Sequence, residues 1–262
     1  MTAASTDAKL SRILFEIEGA VARIELRNPP LNIIDIPMME ELAQAIVQIE
    51  ARPAVSVVVL TGAGKAFSAG VDVAVHTPDK VGEMLEKFHA LIRSLVATKK
   101  VTVAAVHGNS LGGGAELAMV CDLVFTTHDA QWGFPEIKLG CYPPVACTAL
   151  AALVGQKRAA ELILTGRTIN GKEAANIGLA TRAVLEPELG ATVEECVRQL
   201  LALSPVTLAI AKKASYAWDS MHFDKGLARA EKMYFDDLMK TEDAHEGVRA
   251  FMEKRHPKWT GK

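Results

Sequence analysis

The most informative chemical pattern in the chain is a run of three glycines followed closely by a glutamate. Gly112, Gly113 and Gly114 lie between the apolar run 101–106 and a short helix-forming segment that contains Glu116. A turn without side chains lets a ligand approach the main chain, and the first turn of a helix supplies unpaired N–H donors. Such donors suit an anion or a developing oxyanion. A tight strand-to-helix connection with a dipole-stabilising glutamate explains the same residues without any ligand.

Two further loops follow predicted strands and are rich in small residues or in proline and glycine. They cover residues 66–72 and 134–142, and the second contains Glu136. Loops at the ends of α/β units are where ligand sites usually form. Two carboxylates, Glu116 and Glu136, combined with exposed backbone donors suit proton transfer next to a carbonyl that becomes an enolate. Simple surface solvation of Glu136 is the alternative that the residues leave open.

The elements that must position these loops are predicted from hydrophobic periodicity. Alternation over residues 13–17 and 21–26 predicts a β-hairpin, and apolar spacing predicts helices such as 37–50 and 79–98. Further strands are predicted at 55–60, 101–106, 123–127 and 180–185, and further helices at 144–153, 155–164, 191–203, 206–218, 223–240 and 243–254. Because only helical patterns follow Leu189, we predict an α/β core at residues 1–189 and a C-terminal helical region at residues 190–262.

Composition narrows the range of functions. The 262 residues are 50% hydrophobic, enough for a sizeable core, and 29 Lys and Arg against 31 Asp and Glu give a net charge of −2. This balance favours neither nucleic acid nor an anionic membrane as a partner. The four cysteines lack disulfide-framework and zinc spacing, the segment 1–11 has no signal-peptide pattern, and no apolar run reaches ~20 residues. We therefore predict a cytoplasmic protein with reduced cysteines.

Several segments taken together resemble the crotonase family, which contains the enoyl-CoA hydratases and isomerases. The matching segments are residues 65–72, 105–122, 132–140, 164–167, 175–179 and 247–254. The resemblance implies an α/β fold, a crotonase-like spiral of βαβ units with a C-terminal helical oligomerisation region that forms trimers or dimers of trimers. It also implies an acyl-CoA thioester as substrate, so that CoA belongs to the substrate and neither a separate cofactor nor a metal is expected.

The same resemblance assigns roles to the residues of the two loops. The backbone N–H groups of Val71 and Gly113 would form an oxyanion hole for the thioester carbonyl. Glu116 would hold and deprotonate a water molecule, and Glu136 would protonate the carbon acceptor. Hydration is then the leading reaction, because many relatives with other chemistry lack one of the glutamates. An isomerase, a ring-opening acyl-CoA hydrolase, and a non-catalytic acyl-CoA-binding or assembly module are the alternatives.

The resemblance also predicts contacts to CoA, with departures. Relatives commonly carry a basic residue where this chain has Pro30, and a lysine where it has Ala74. Contacts to the nucleotide end are therefore predicted for Lys65 and, from a neighbouring subunit, for Phe251 and Lys254. An ordinary surface lysine or core phenylalanine is the alternative. The other residues predicted to bind substrate or CoA are Ala69, Asp72 and Val73.

The largest departure follows Glu136. Simple enoyl-CoA hydratases typically have a glycine-rich turn where this chain continues with Cys141, Tyr142, Pro143 and Pro144. These side chains predict an acyl pocket of different shape. Together with the earlier proline pair, the turn resembles the hydratases that act on cyclohexa-1,5-diene-1-carbonyl-CoA, and we predict such a conjugated cyclic substrate. The predicted acyl-pocket residues are His76, Cys141, Tyr142 and Pro144.

Overall fold

A computed structural model describes residues 10–77, 79–216 and 220–261. The first nine residues, part of the segment interpreted above as free of a signal peptide, lie outside the described residues. So does the end of the helix predicted to reach residue 218.

The described residues contain two sheets. A six-stranded sheet has the order β1-β2-β3-β5-β7-β10, and a four-stranded sheet has the order β4-β6-β8-β9. The strands are β1 Ile13–Glu18, β2 Val21–Leu26, β3 Val57–Gly62, β4 Ala66–Ser68, β5 Val101–Val106, β6 Asn109–Leu111, β7 Leu123–Thr127, β8 Gln131–Gly133, β9 Thr168–Asn170 and β10 Arg182–Val184.

Helices surround both sheets. They are α1 Ile36–Glu50, α2 Val81–Ala97, α3 Gly113–Met119, α4 Pro144–Val154, α5 Gln156–Thr165, α6 Gly171–Asn176, α7 Leu189–Leu201, α8 Pro205–Ser215, α9 Ser220–Asp236 and α10 Glu242–Met252. Short 3-10 helices cover Val73–Val75, Pro135–Leu139, Glu186–Glu188 and Leu238–Lys240. The mixed α/β architecture predicted from the sequence is confirmed, with the β1–β2 hairpin antiparallel as expected.

The central strands of the larger sheet are buried on both faces, as their valine-rich sequences require of a parallel sheet. In β3, Val58 and Leu60 join the main core with helices α1 and α2, whereas Val57 and Val59 face the other side. That other side is covered by α7 through Leu189, Val193 and Val197. The helical region after residue 189 therefore contributes directly to burying the sheet, and the division into two domains stays a prediction.

In the middle of the chain, from β3 to β8, strands of the larger sheet alternate with strands of the smaller sheet. Strand β3 continues into β4, β5 into β6, and β7 into β8, so the chain winds as a spiral between the two layers. Strands β4, β6 and β8 run parallel to one another. Their carboxyl ends therefore lie at one edge of the small sheet, and the three loops predicted to carry chemistry all leave from that edge.

The C-terminal helices pack back on the core. Helix α9 lies against α4, and α8 is linked to the core by the ammonium of Lys212, 2.7 Å from a carboxylate oxygen of Asp122. Helix α8 also exposes apolar side chains, with Val206 66% and Ile210 63% accessible. None of the helices in the described ranges is long and apolar enough to cross a bilayer.

Candidate active site

One cleft of about 600 Å³ gathers most of the residues singled out in the sequence. It lies at the edge of the small sheet and is bounded by the loops after β4, β6 and β8 together with helices α2 and α9. The predicted site residues that line it are Ala69, Val71, Val73, His76, Gly113, Glu116, Glu136, Tyr142 and Pro144. The convergence that spacing alone left open is therefore present in the fold.

The main-chain N–H groups of Val71 and Gly113 are unused by secondary structure. Ile34 donates to the carbonyl of Gly70 at 2.9 Å and accepts from Asp72 at 3.3 Å, which leaves the N–H of Val71 outside that ladder. Gly113 opens helix α3, where the first N–H groups have no intrahelical partner. Neither group donates a hydrogen bond within the part of the chain that the structure describes.

The two donors are held close together by tight backbone packing. A Cβ atom placed on Gly113 would lie 3.4 Å from the backbone nitrogen of Val71 and 2.5 Å from Cγ2 of the Val71 side chain. Ser68 fixes the loop from below, since its hydroxyl donates to the carbonyl of Asn32 at 2.7 Å and accepts from the N–H of Gly70 at 3.1 Å. The two unused N–H groups are thus held close together, as an oxyanion hole requires.

At Gly112 both the backbone conformation and the surrounding space favour glycine. Its φ is +51°, in the left-handed region, and an added Cβ would lie 2.8 Å from Oε1 of Glu136. Glu136 sits in the 3-10 helix Pro135–Leu139, which brings its carboxyl group against the glycine turn. Its second oxygen, Oε2, is buried without a hydrogen-bond partner in the described residues. The side chain therefore faces the cleft rather than the surface.

Glu116 is buried in the first part of α3, and its carboxylate meets the start of another helix. The Ala146 N–H donates to Oε1 of Glu116 at 2.9 Å, from the first turn of α4. Pro143 and Pro144 produce this arrangement, because Pro144 occupies the first helical position, where no N–H is needed. The turn that departs from the common hydratase pattern thus orients a carboxylate at a helix N-terminus.

The two carboxyl groups have different protonation preferences. Burial raises the pKa of Glu116 to about 7, against the lowering effect of the backbone N–H groups of Ala146 and Val145. Burial, and secondarily the charge of Glu116, raise the pKa of Glu136 well above its ordinary value. As pH rises above about 7, Glu116 therefore ionises while the raised pKa of Glu136 favours its protonated form, which suits one base and one acid.

The far wall of the cleft comes from two helices that sequence reasoning did not connect with the site. Helix α2 contributes Phe88 and His89, both at most 1% exposed, and α9 contributes Tyr234. Tyr234 packs edge-on against Tyr142 with ring centroids 5.2 Å apart. His89 had a detectable signal, since it is a polar residue on the apolar face of a periodic helix. Other cleft residues on α2 are Met84 and Leu85.

Some predicted site residues lie outside the cleft. Cys141 is buried behind it, with Sγ 3.6 Å from the carbonyl of Leu139. Asp72 caps the 3-10 helix Val73–Val75 by accepting from Ala74 at 3.0 Å. The CoA contacts predicted for Lys65, Phe251 and Lys254 involve exposed side chains that are not among the residues lining the cleft of this chain. Those roles stay predictions, two of them depending on a neighbouring subunit.

Comparison with known proteins places the chain in a family. Residues 16–262 match the sequence profile described as enoyl-CoA hydratase/isomerase. The chain belongs to the enoyl-CoA hydratase/isomerase family. Membership confirms the resemblance drawn from the motifs and the predicted enzyme class, a lyase of the enoyl-CoA hydratase type.

Individual relatives span nearly the whole chain. A cyclohexa-1,5-dienecarbonyl-CoA hydratase of Thauera aromatica is 34% identical over 248 residues, covering 95% of this chain and 96% of the relative. A probable enoyl-CoA hydratase of Bacillus subtilis is also 34% identical, over 258 residues, covering 96% of this chain and all (100%) of the relative. The crystal structure of an enoyl-CoA hydratase from Mycobacterium avium subsp. paratuberculosis superposes with a TM-score of 0.87 at 28% identity, covering 96% of this chain and 99% of that one. The crotonase-like fold is thereby confirmed.

Proposed function

We propose that the protein adds water to, or removes it from, a conjugated enoyl- or dienoyl-CoA thioester. The observation that carries the proposal is the pairing of two buried carboxyl groups of different pKa with two free N–H donors in one cleft. An isomerase needs only a proton shuttle, and a hydrolase attacks the thioester carbonyl itself. A base and an acid beside an enolate site match the requirements of hydration more closely.

In the proposed reaction, ionised Glu116 removes a proton from water, and the oxygen attacks the β-carbon of the double bond. The electron pair moves onto the thioester oxygen, where the N–H groups of Val71 and Gly113 stabilise the enolate. Protonated Glu136 then gives its proton to the acceptor carbon. Transfer of a proton from Glu116 back to Glu136 restores the starting state. On a cyclic diene the same groups act through the conjugated system.

For the acyl group we infer cyclohexa-1,5-diene-1-carbonyl-CoA as the best candidate. The Thauera aromatica relative supports it, since the enzyme of that name matches over 95% of this chain. The proline turn at Pro143 and Pro144 supports it as well, because it places side chains where simple hydratases typically have glycines. We also propose that the enzyme acts as a homo-oligomer, a trimer or dimer of trimers, with the exposed apolar face of α8 at an interface between copies. A cytoplasmic location stays a prediction.

A turnover panel tests both the reaction and the substrate. Purified protein is given crotonyl-CoA, longer linear enoyl-CoAs and cyclic dienoyl-CoAs in water labelled with heavy oxygen. Hydration is expected to place the label in a hydroxyl group, with the cyclic diene as the preferred substrate by kcat/KM. Label in a carboxylate would indicate a hydrolase instead, an unlabelled rearranged product would indicate an isomerase, and binding without turnover would indicate a non-catalytic module. Preference for crotonyl-CoA would reject the cyclic substrate.

The pH dependence of hydration should report the carboxyl pair. Because Glu116 must be ionised to act as base, kcat/KM is expected to fall about tenfold per pH unit below its pKa of about 7. Activity should also fall at higher pH once Glu136, whose pKa is raised well above the ordinary value, loses the proton it donates. Initial rates measured in overlapping buffers give the profile. An acidic limb near the ordinary glutamate value of 4.5 would contradict this assignment.

A further inference from the structure

A buried histidine in the cleft wall is not used by the proposed reaction. His89 has 0% of its surface accessible and lines the cleft from helix α2. Its Nδ1 lies 2.8 Å from Oε1 of Glu231, a residue of α9. Its other ring nitrogen, Nε2, is buried without a hydrogen-bond partner in the described residues. Buried polar atoms are rarely left unpaired in proteins, so we infer that a bound ligand supplies the partner of this nitrogen.

The contacts of Glu231 settle the tautomer of the ring. One guanidinium nitrogen of Arg93 donates to both carboxylate oxygens of Glu231, at 2.9 and 3.0 Å. A carboxylate held in this way only accepts hydrogen bonds, so Nδ1 of His89 must donate to it. Burial lowers the pKa of His89, which keeps the ring neutral, and a neutral ring with a proton on Nδ1 has an acceptor at Nε2.

The surroundings of His89 in the cleft are apolar. Met84, Leu85 and Phe88 from the same helix line the cleft beside it. A single acceptor in an apolar wall favours binding of a ligand that places one hydrogen-bond donor next to it. A ligand that has only carbon atoms there leaves the acceptor buried and unpaired, which weakens binding. Since Glu116 and Glu136 serve the water and the reacting carbons in the proposed reaction, we assign His89 to another part of the acyl group.

We propose that Nε2 of His89 accepts a hydrogen bond from a hydroxyl substituent on the acyl part of the thioester, so that among otherwise similar acyl groups, cyclic dienes included, the enzyme prefers the hydroxyl-substituted member. This rests on the proposed function in one respect, that the ligand in the cleft is an acyl-CoA. It adds a specificity-determining residue and names a substituent of the substrate. Glu231, together with Arg93, acts as a positioning group because it fixes the tautomer that accepts.

Saturated thioesters separate this proposal from catalysis, because they bind without reacting. We would measure dissociation constants by calorimetry for three pairs that differ in a hydroxyl against a methyl group. They are 4-hydroxybutanoyl-CoA and pentanoyl-CoA, 6-hydroxyhexanoyl-CoA and heptanoyl-CoA, and 4-hydroxycyclohexane- and 4-methylcyclohexane-carbonyl-CoA. The wild-type enzyme is expected to bind the hydroxyl member at least about tenfold more tightly in one or more pairs.

Variants then assign the preference to His89. His89→Phe keeps a flat ring without an acceptor, and it is expected to reverse the preference in favour of the methyl member. His89→Gln keeps an acceptor oxygen and is expected to retain part of the preference for the hydroxyl member. If the Phe variant fails to fold, the preference measured with the Gln variant serves as the test. His256→Phe, the same substitution at an exposed histidine outside the cleft, is the matched control and should leave the preference unchanged.

Two results would overturn the proposal: equal binding within all three pairs by the wild-type enzyme, or an unchanged preference in His89→Phe. A lost or absent preference in an enzyme that still hydrates enoyl-CoAs rejects the role of His89 alone. A clear hydroxyl preference in a protein that hydrates no thioester in the panel supports the role of His89 and rejects the proposed reaction. The failures of the two proposals are therefore distinguishable.

Discussion

Replacing Glu116 by Gln is expected to lower kcat for hydration at least about a hundredfold, the scale of general acid–base catalysis. Glutamine has nearly the same shape, and its side-chain oxygen can still accept the hydrogen bond that Ala146 donates to Glu116 at 2.9 Å. What it cannot do is remove a proton from water. Binding of a saturated acyl-CoA should therefore survive within a few-fold, so the loss appears in kcat rather than in the dissociation constant.

The same variant should be more stable than the wild-type protein at alkaline pH. The folded protein raises the pKa of Glu116 from 4.5 to about 7, so it binds a proton more tightly than the unfolded chain. Stability consequently falls as pH rises between those values, and above pH ~7 the ionised carboxylate costs on the order of 3 kcal/mol. Glutamine removes this cost, so thermal unfolding at pH ~8 should occur at a higher temperature.

A surface substitution provides the comparison. Glu86 is exposed on α2, and Glu86→Gln should change neither the rate nor the unfolding temperature appreciably. Steady-state rates and thermal unfolding of the three proteins, measured on the same preparations, give the result. A Glu116→Gln enzyme with wild-type kcat would rule out this residue as the water-activating base, whatever its effect on stability.

The site could be predicted from the sequence as far as local chemistry determines it. A glycine run before Glu116 and a loop containing Glu136 were enough to suggest an oxyanion site with two carboxyl groups, since strand ends in α/β folds gather their loops at one edge. The prediction that Pro144 opens a helix is also confirmed. The hydrogen bond from the N-terminus of α4 to Glu116 depends on how α3 and α4 pack against each other. The local sequence does not indicate that packing.

Features that depend on long-range packing were not predicted. Strands β4 and β6 have three residues each, too few to show alternation, so the sequence indicates a loop at β4 and, although it predicts a short strand near β8, it does not reveal the second sheet. The cleft wall formed by His89 and Tyr234 joins residues 145 positions apart through packing of α2 and α9 near the cleft. Periodicity places His89 on a buried face, but it does not show that a cavity rather than solid core lies beside that face.

Gly113→Ala is expected to lower kcat about a hundredfold to a thousandfold, the usual effect of losing an oxyanion-hole donor. The added methyl group would lie 2.5 Å from Cγ2 of Val71, closer than non-bonded carbon atoms approach, and 3.2 Å from Cζ of Phe88, a tight contact. Phe88 is buried and has little room to move, so we expect the side chain of Val71 to turn away and its loop to shift with it. That shift moves the N–H groups of Val71 and Gly113 apart, so that they no longer both donate to one oxygen atom.

A spectroscopic measurement distinguishes this loss from simple damage to the pocket. Hydrogen bonds to the carbonyl polarise a conjugated thioester, so its ultraviolet absorption should move to longer wavelength on binding to the wild-type enzyme and much less on binding to Gly113→Ala. Gly190→Ala is the control, because an added Cβ there meets no atom within 4 Å. A Gly113→Ala enzyme that binds the thioester with the full spectral shift, and turns it over at the wild-type rate, would show that Val71 and Gly113 do not hold the enolate oxygen.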